Sequence, residues 1–130
     1  MAARLVASLA LLAVIGLIAF YGWRIAEDDE GRHGPPVSGS PDAGRQAIER
    51  HACYACHTIP GVPRATANVG PPLTTVSQRG YLGGVVPNTP QNMRLWIMNP
   101  QRYSPGSAMP DLGVTEEEAR DIVAYLYGLN

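Results

Sequence analysis

The chain has 130 residues, a net charge of −1 and no lysine, all ten basic residues being arginine. That length holds one small domain with appendages, and the charge balance leaves no basic stripe of the kind that binds nucleic acid. With 14 glycines and 12 prolines much of the chain is loop, so a domain this small needs something besides its own side chains to complete a core.

Residues 5–23 (LVASLALLAVIGLIAFYGW) run without a charge between Arg4 and Arg24. As a helix they would span about 28 Å, close to the hydrocarbon thickness of a bilayer. Tyr21 and Trp23 fall at one end, where an interfacial aromatic belt would sit. Residues 1–24 therefore read as a single N-terminal transmembrane anchor. A cleaved signal peptide is the rival, but its apolar core is normally shorter and ends in a small-x-small site, which neither Ala19-Phe20-Tyr21 nor Gly22-Trp23-Arg24 supplies. The flanking arginines are too evenly divided to orient the span. Residues 25–39 open with Glu27, Asp28, Asp29 and Glu30 and continue through Gly31, Gly34, Pro35, Pro36 and Gly39. This is a solvated linker, which as a flexible coil keeps the C-terminal part of the chain within about 23 Å of the anchor on average.

The folded domain is expected over residues 40–130, where seven arginines face seven acids. Ser40 and Pro41 provide an N-cap and a first-turn proline, with Asp42 favourable in that turn, for a helix ending near His51. Its inward face is Ala43, Ala47 and Ile48, with Gly44 small enough to let another helix cross closely. His51 reads as a surface histidine at the helix end. Cys53-Tyr54-Ala55-Cys56-His57 comes next. Residues 58–82 carry too many prolines and glycines for lasting regular structure and read as a wrapping loop. The apolar, glycine-rich segment 82–86 reads as loop too. Thr89-Pro90 opens a second helix with Met93, Trp96 and Ile97 on one face, ended by Pro100. A proline-bounded loop, 105–110, precedes Thr115-Glu116-Glu117-Glu118, a capping box leading into the last helix with Ala119, Ile122, Val123, Leu126 and Leu129 at helical spacing.

C-x-x-C-H is the spacing at which a c-type haem is attached: Cys53 and Cys56 can form thioethers to one porphyrin, and His57 then falls under the iron. A dithiol redox pair would want a βαβ context, absent here, and zinc would need a fourth ligand that His33 and His51 do not offer at finger or ribbon spacing. For the second axial position the residues offer Met93, Met98 and Met109. Met93 lies on an apolar helical face, where a core role is expected, and Met98 at a helix end is undecided by pattern. Met109, held between prolines in its loop, is the preferred ligand.

Taken together these features resemble the class I cytochromes c, monohaem and His/Met-ligated, of membrane-anchored bacterial type. The resemblance covers about 90 residues and rests on Gly44 and Ile48, then Cys53 to His57, Gly70-Pro71-Pro72-Leu73, Trp96, Ala108-Met109-Pro110 and Ala124-Tyr125-Leu126 in that order. It implies an all-α cytochrome c fold around one covalent haem c, with His57 and Met109 on the iron and the Pro71 carbonyl accepting the imidazole proton. It implies further that the first and last helices cross at Gly44 and Tyr125, and it makes Arg79, Tyr81, Asn88 and Trp96 candidates near the haem propionates. The family's mitochondrial members dock through lysines, and here there are none.

A haem with both axial positions filled by protein leaves no place for a small-molecule substrate, so the expected function is single-electron transport rather than catalysis. The expected partners are the membrane and respiratory complexes: a terminal oxidase as acceptor and a quinol-cytochrome c oxidoreductase as a possible donor. Since c-type haem is attached on the outer face of the bacterial cytoplasmic membrane, the domain is expected on that periplasmic side, as a fixed oxidase subunit or a tethered shuttle. The near-neutral domain and the limited reach of its linker lean towards the subunit. The alternative is a haem enzyme or gas sensor in which Met109 is displaced.

Overall fold

The computed structural model describes residues 11–23 and 37–129, and the chain divides into two compact units, Met1–Pro35 and Pro36–Asn130. In the first, residues 11–23 form a helix, α1, whose side chains are exposed throughout. Among the described residues no helix is long and apolar enough to cross a membrane. The expected span starts at residue 5, and 5–10 lie outside the described residues, as does the linker through residue 36.

The second unit is mostly helical: α2 (Pro41–Arg50), α3 (Pro90–Met98), α4 (Pro100–Tyr103) and α5 (Glu116–Tyr127). Each long helix starts as the sequence leads one to expect. Ser40 Oγ accepts the Ala43 N–H and Thr89 Oγ1 the Asn92 N–H, with proline in the first turn of both helices. At α5 the full capping box forms, Thr115 Oγ1 taking the Glu118 N–H while the Glu118 carboxylate takes the Thr115 N–H. Such caps satisfy amide hydrogens that the helix itself cannot.

Helices α2 and α5 cross at Gly44, whose Cα faces the backbone of Asp121 and Ile122 so closely that a Cβ there would lie 2.0 Å from the Asp121 carbonyl oxygen. Asp121 also accepts the Ser40 N–H at 2.7 Å, tying the start of α2 to α5. Ala47 and Ile48 on α2 and Ala119, Ile122, Val123 and Leu126 on α5 are buried together in the core, joined by Met93 and Ile97 from α3. One turn further along α5, the Tyr125 hydroxyl donates to the Pro60 carbonyl at 2.6 Å and abuts Gly61. The last helix therefore clamps the loop after the cysteine motif as well as the first helix. Burial pushes the Tyr125 phenol up from its ordinary range.

Three expectations are corrected by tertiary contacts. The fold is mostly helical rather than all-α, because the stretch read as plain loop contains a Thr58–Thr66 bridge and a hairpin, β1 (Tyr81–Leu82) with β2 (Val86–Pro87), in the antiparallel register Tyr81↔Pro87. Leu82 from this hairpin is buried in the core. Gly83 and Gly84 turn it at positive φ, a conformation that costs a side-chain-bearing residue. Pro100 ends α3 as expected, yet it also opens α4, since Asn99 closes one helix and caps the next by accepting the Arg102 N–H.

His51 is the third correction, for it is half-buried and donates from Nε2 to Glu118 at 3.1 Å. Arg50 donates to the other oxygen of the same carboxylate at 2.9 Å. The Arg50 guanidinium first, then the Thr115 amide and His51, hold the Glu118 carboxyl down at about 2, against an ordinary 4.5. A carboxylate lowered by folding contributes stability that is complete above the unfolded value and disappears as pH falls to the folded one. The link between the end of α2 and the start of α5 is thus expected to weaken from about pH 4.5 down to about 2. In thermal melts of the holoprotein, Glu118→Gln should lower the midpoint at pH 7 and bring it nearer to the unmutated value at pH 2–3. An equal loss at both pH values would show that the charge plays no part.

Candidate functional site

After α2 the chain reverses through Ala52, which takes the left-handed conformation at φ 54° usual for glycine just past a helix end. A short 3₁₀ turn, Cys53–Ala55, comes next. The Cys56 and His57 amides both donate back to the Cys53 carbonyl, at 3.2 and 3.0 Å, so the two cysteines and the histidine are gathered on a single turn. Both thiols are free and half-buried, and burial raises the Cys53 thiol above its ordinary value.

The next loop is sewn onto this turn. Thr58 Oγ1 donates to the Ala67 carbonyl, the Gly70 amide to the Cys56 carbonyl at 2.7 Å and the Leu73 amide to the Thr58 carbonyl at 2.8 Å. Those bonds place the Pro71 carbonyl 2.8 Å from His57 Nδ1. A backbone carbonyl can only accept, so Nδ1 carries a proton, and in the neutral ring this tautomer leaves the Nε2 lone pair available. Gly70 makes the approach possible, since a Cβ there would lie 2.4 Å from His57 Cε1. The ring is thus fixed in orientation and tautomer by chain geometry, as a metal-bound histidine normally is by its outer partner.

Met109 is half-buried in the loop between α4 and α5. Its amide donates to Ser107 Oγ at 3.2 Å, and its carbonyl accepts from Gln101 Nε2 at 2.9 Å. Met93, by contrast, is only 2 % exposed within the core, as expected of it, and Met98 packs half-buried against the core.

Of the four residues expected near propionates, Arg79 and Asn88 are joined by a hydrogen bond. Arg79 donates its guanidinium to the Pro72 carbonyl, beside the residue that holds His57. Asn88 gives its amide hydrogens to the carbonyls of Val76 and Arg79, at 2.6 and 2.9 Å, and accepts from the Tyr127 hydroxyl at 3.3 Å. Both of its hydrogens serve the 76–80 turn. Trp96 lies half-buried against the hairpin turn, where a Cβ on Gly83 would come within 2.4 Å of the ring, and its other neighbour is Tyr103, with ring centroids 6.4 Å apart. Tyr81 is exposed on β1. Gln101 was invisible in the sequence, because a glutamine one residue after a proline has no pattern that marks it as a loop clamp. Gly61 was legible only as a loop glycine, and Gly70 only as part of the Gly70-Pro71-Pro72-Leu73 run that carries the resemblance.

The residues present fit a c-type haem. Two unpaired thiols and an imidazole with a free Nε2 share one turn, and half-buried Tyr54, Leu73, Trp96 and Met98 offer apolar surface beside the core. No group of three or more histidine, cysteine or acidic side chains among the described residues could hold a bare metal ion.

Comparison with known proteins bears this out at the level of family. The cytochrome c profile matches residues 41–130. Cytochrome c oxidase subunit 2 of Alkalihalophilus pseudofirmus is 32 % identical over 95 residues, covering 72 % of this chain and 27 % of that protein. The proteins of the same name from Bacillus subtilis and Bacillus sp. PS3 are 28 % identical over 90 residues and 26 % over 99, covering 66 % and 72 % of this chain and 25 % and 28 % of theirs. The chain spans about a quarter of the length of these curated relatives. By a family match that takes in the cysteine turn, the His57 loop, the Met109 loop and the final helix, this chain belongs to the cytochrome c family, class I.

Proposed function

We propose that the protein is a one-electron carrier delivering electrons to a terminal oxidase, with its haem domain on the outer face of a bacterial cytoplasmic membrane and residues 1–24 as its anchor. The observation that carries the reading is the Pro71 carbonyl on His57 Nδ1, which readies Nε2 for an iron, with Met109 as the partner ligand. Cys53 and Cys56 would hold haem c covalently, with Arg79, Tyr81, Asn88 and Trp96 as the residues near its propionates. Bound there, the haem supplies a ferrous/ferric couple whose potential Met/His ligation raises.

The chain's own part is to hold both ligands still. Hydrogen bonds from the 66–73 loop keep the imidazole from turning, and the bonded 104–109 loop presents the thioether, so little rearrangement accompanies a change of oxidation state. With His57 and Met109 both holding the iron, no position on it would remain for a substrate, which fits a carrier rather than an enzyme. The relatives' common name, cytochrome c oxidase subunit 2, supports an oxidase as acceptor and favours a fixed subunit over a mobile shuttle. The anchor reading rests on the uncharged run of residues 5–23.

Extraction from membranes in mild detergent should bring the haem protein down together with an oxidase, and its ferrous form should not bind carbon monoxide. Ready carbon monoxide binding by the unmutated ferrous protein would overturn the carrier reading in favour of an open-iron enzyme or sensor. Clean separation from every oxidase would sink the subunit version.

A further inference from the structure

The Met109 loop lies between Pro105 and Pro110, neither of which has an amide hydrogen, and Gly106 turns within it at φ +83°. Its own backbone is in neither helix nor strand. Its contacts with itself and its own base are few: the Ser107 amide to the Ser104 carbonyl at 3.0 Å and the Met109 amide to Ser107 Oγ.

Gln101 supplies the rest. Its Oε1 accepts the Gly106 N–H at 3.0 Å, and its Nε2 donates to the carbonyls of Ser107 at 2.6 Å and of Met109 at 2.9 Å. The amide orientation follows from chemistry, because two carbonyls require the NH₂ end and an N–H requires the oxygen. Gln101 is itself well founded, next to Pro100, one of the most deeply buried residues, and in the first turn of α4, which Asn99 caps. One half-buried side chain thus spans three residues of the loop, from one side of the methionine to the methionine's own carbonyl.

We infer that Gln101 is the positioning residue for Met109: it determines what fraction of molecules have the thioether engaged and so keeps a sixth-coordination site closed to outside ligands. The inference rests on the reading of Met109 as an iron ligand. It assigns to a single amide the balance between a closed carrier and an open, ligand-binding haem protein. Leucine at this position keeps the volume but none of the three bonds, and glutamate keeps the volume and the Gly106 bond while turning a carboxylate towards two carbonyls.

The test uses imidazole as an outside ligand for the ferric holoprotein. Imidazole enters only where Met109 has left, so its apparent affinity scales with the open fraction. Loss of the three hydrogen bonds in Gln101→Leu should tighten imidazole binding on the order of 10- to 100-fold and weaken the far-red methionine-to-iron absorption correspondingly. Met109→Ala gives the limit in which every molecule is open. If Met109→Ala keeps the far-red absorption and binds imidazole no more tightly than the unmutated protein, the ligand reading fails. If Met109→Ala behaves as expected but Gln101→Leu binds imidazole like the unmutated protein, whether or not its overall stability has fallen, the Gln101 inference alone is overturned. Should Gln101→Leu fail to take up haem, Gln101→Glu serves in its place: tighter imidazole binding supports the inference and unchanged affinity defeats it.

Discussion

Met109→Ala should abolish the weak far-red absorption of the oxidised holoprotein, lower its reduction potential and let the ferrous form bind carbon monoxide. A thioether is a soft ligand that favours ferrous over ferric iron, so its loss shifts the potential downward within the range of about 0.8 V that axial ligands span. Of the two remaining methionines of the domain, Met93 is not placed to substitute. Met93 is buried among core side chains, and Met98 packs at the end of α3 against the same core. Met93→Leu, which roughly conserves volume, should keep the far-red absorption and provide the control. Persistence of that absorption in Met109→Ala would transfer the ligand role elsewhere, with Met98 next in line.

Gly44→Ala acts on the fold rather than on the iron. A Cβ at this position would lie 2.0 Å from the Asp121 carbonyl oxygen, 2.4 Å from its carbon and 2.9 Å from the Ile122 nitrogen, all backbone atoms inside α5 that no rotamer change can move. The helices must separate, which loosens Ala47 and Ile48 against Ile122 and Val123. Overpacking of this kind costs about 3 kcal/mol, offset by about 1 kcal/mol from alanine's better helix propensity. The net loss should lower the melting midpoint of the holoprotein by on the order of 10 °C. Gly80→Ala, where an added Cβ meets nothing within 4 Å, should leave the midpoint almost unchanged. A Gly44→Ala melt matching that control would show that α2 and α5 do not approach as closely as described.

Both predictions bear on parts of the molecule that were legible to very different degrees. Each N-cap was written in the chain, because capping depends on residues at most three apart: Ser40 with Ala43, Thr89 with Asn92 and Thr115 with Glu118. The same locality made the cysteine turn readable, and the buried stripe of α5 followed from helical periodicity. The hairpin at 81–87 was missed because its two-residue strands are too short to show alternation, and what fixes them is Leu82 entering a core assembled from distant segments.

The sequence by itself determined the helix starts, the turn that gathers Cys53, Cys56 and His57, and the core role of Met93, since each depends on neighbours along the chain or on a simple period. Only the tertiary structure decided that the Tyr125 hydroxyl holds the Pro60 loop, that His51 joins Arg50 on Glu118, and that Gln101 as well as the flanking prolines holds the Met109 loop. The physical reason is the same in each case. A hydrogen bond between residues 65 or more positions apart, or from a helix to an irregular loop, satisfies a polar group whose partner is chosen by packing, and no local pattern of residue types records that choice.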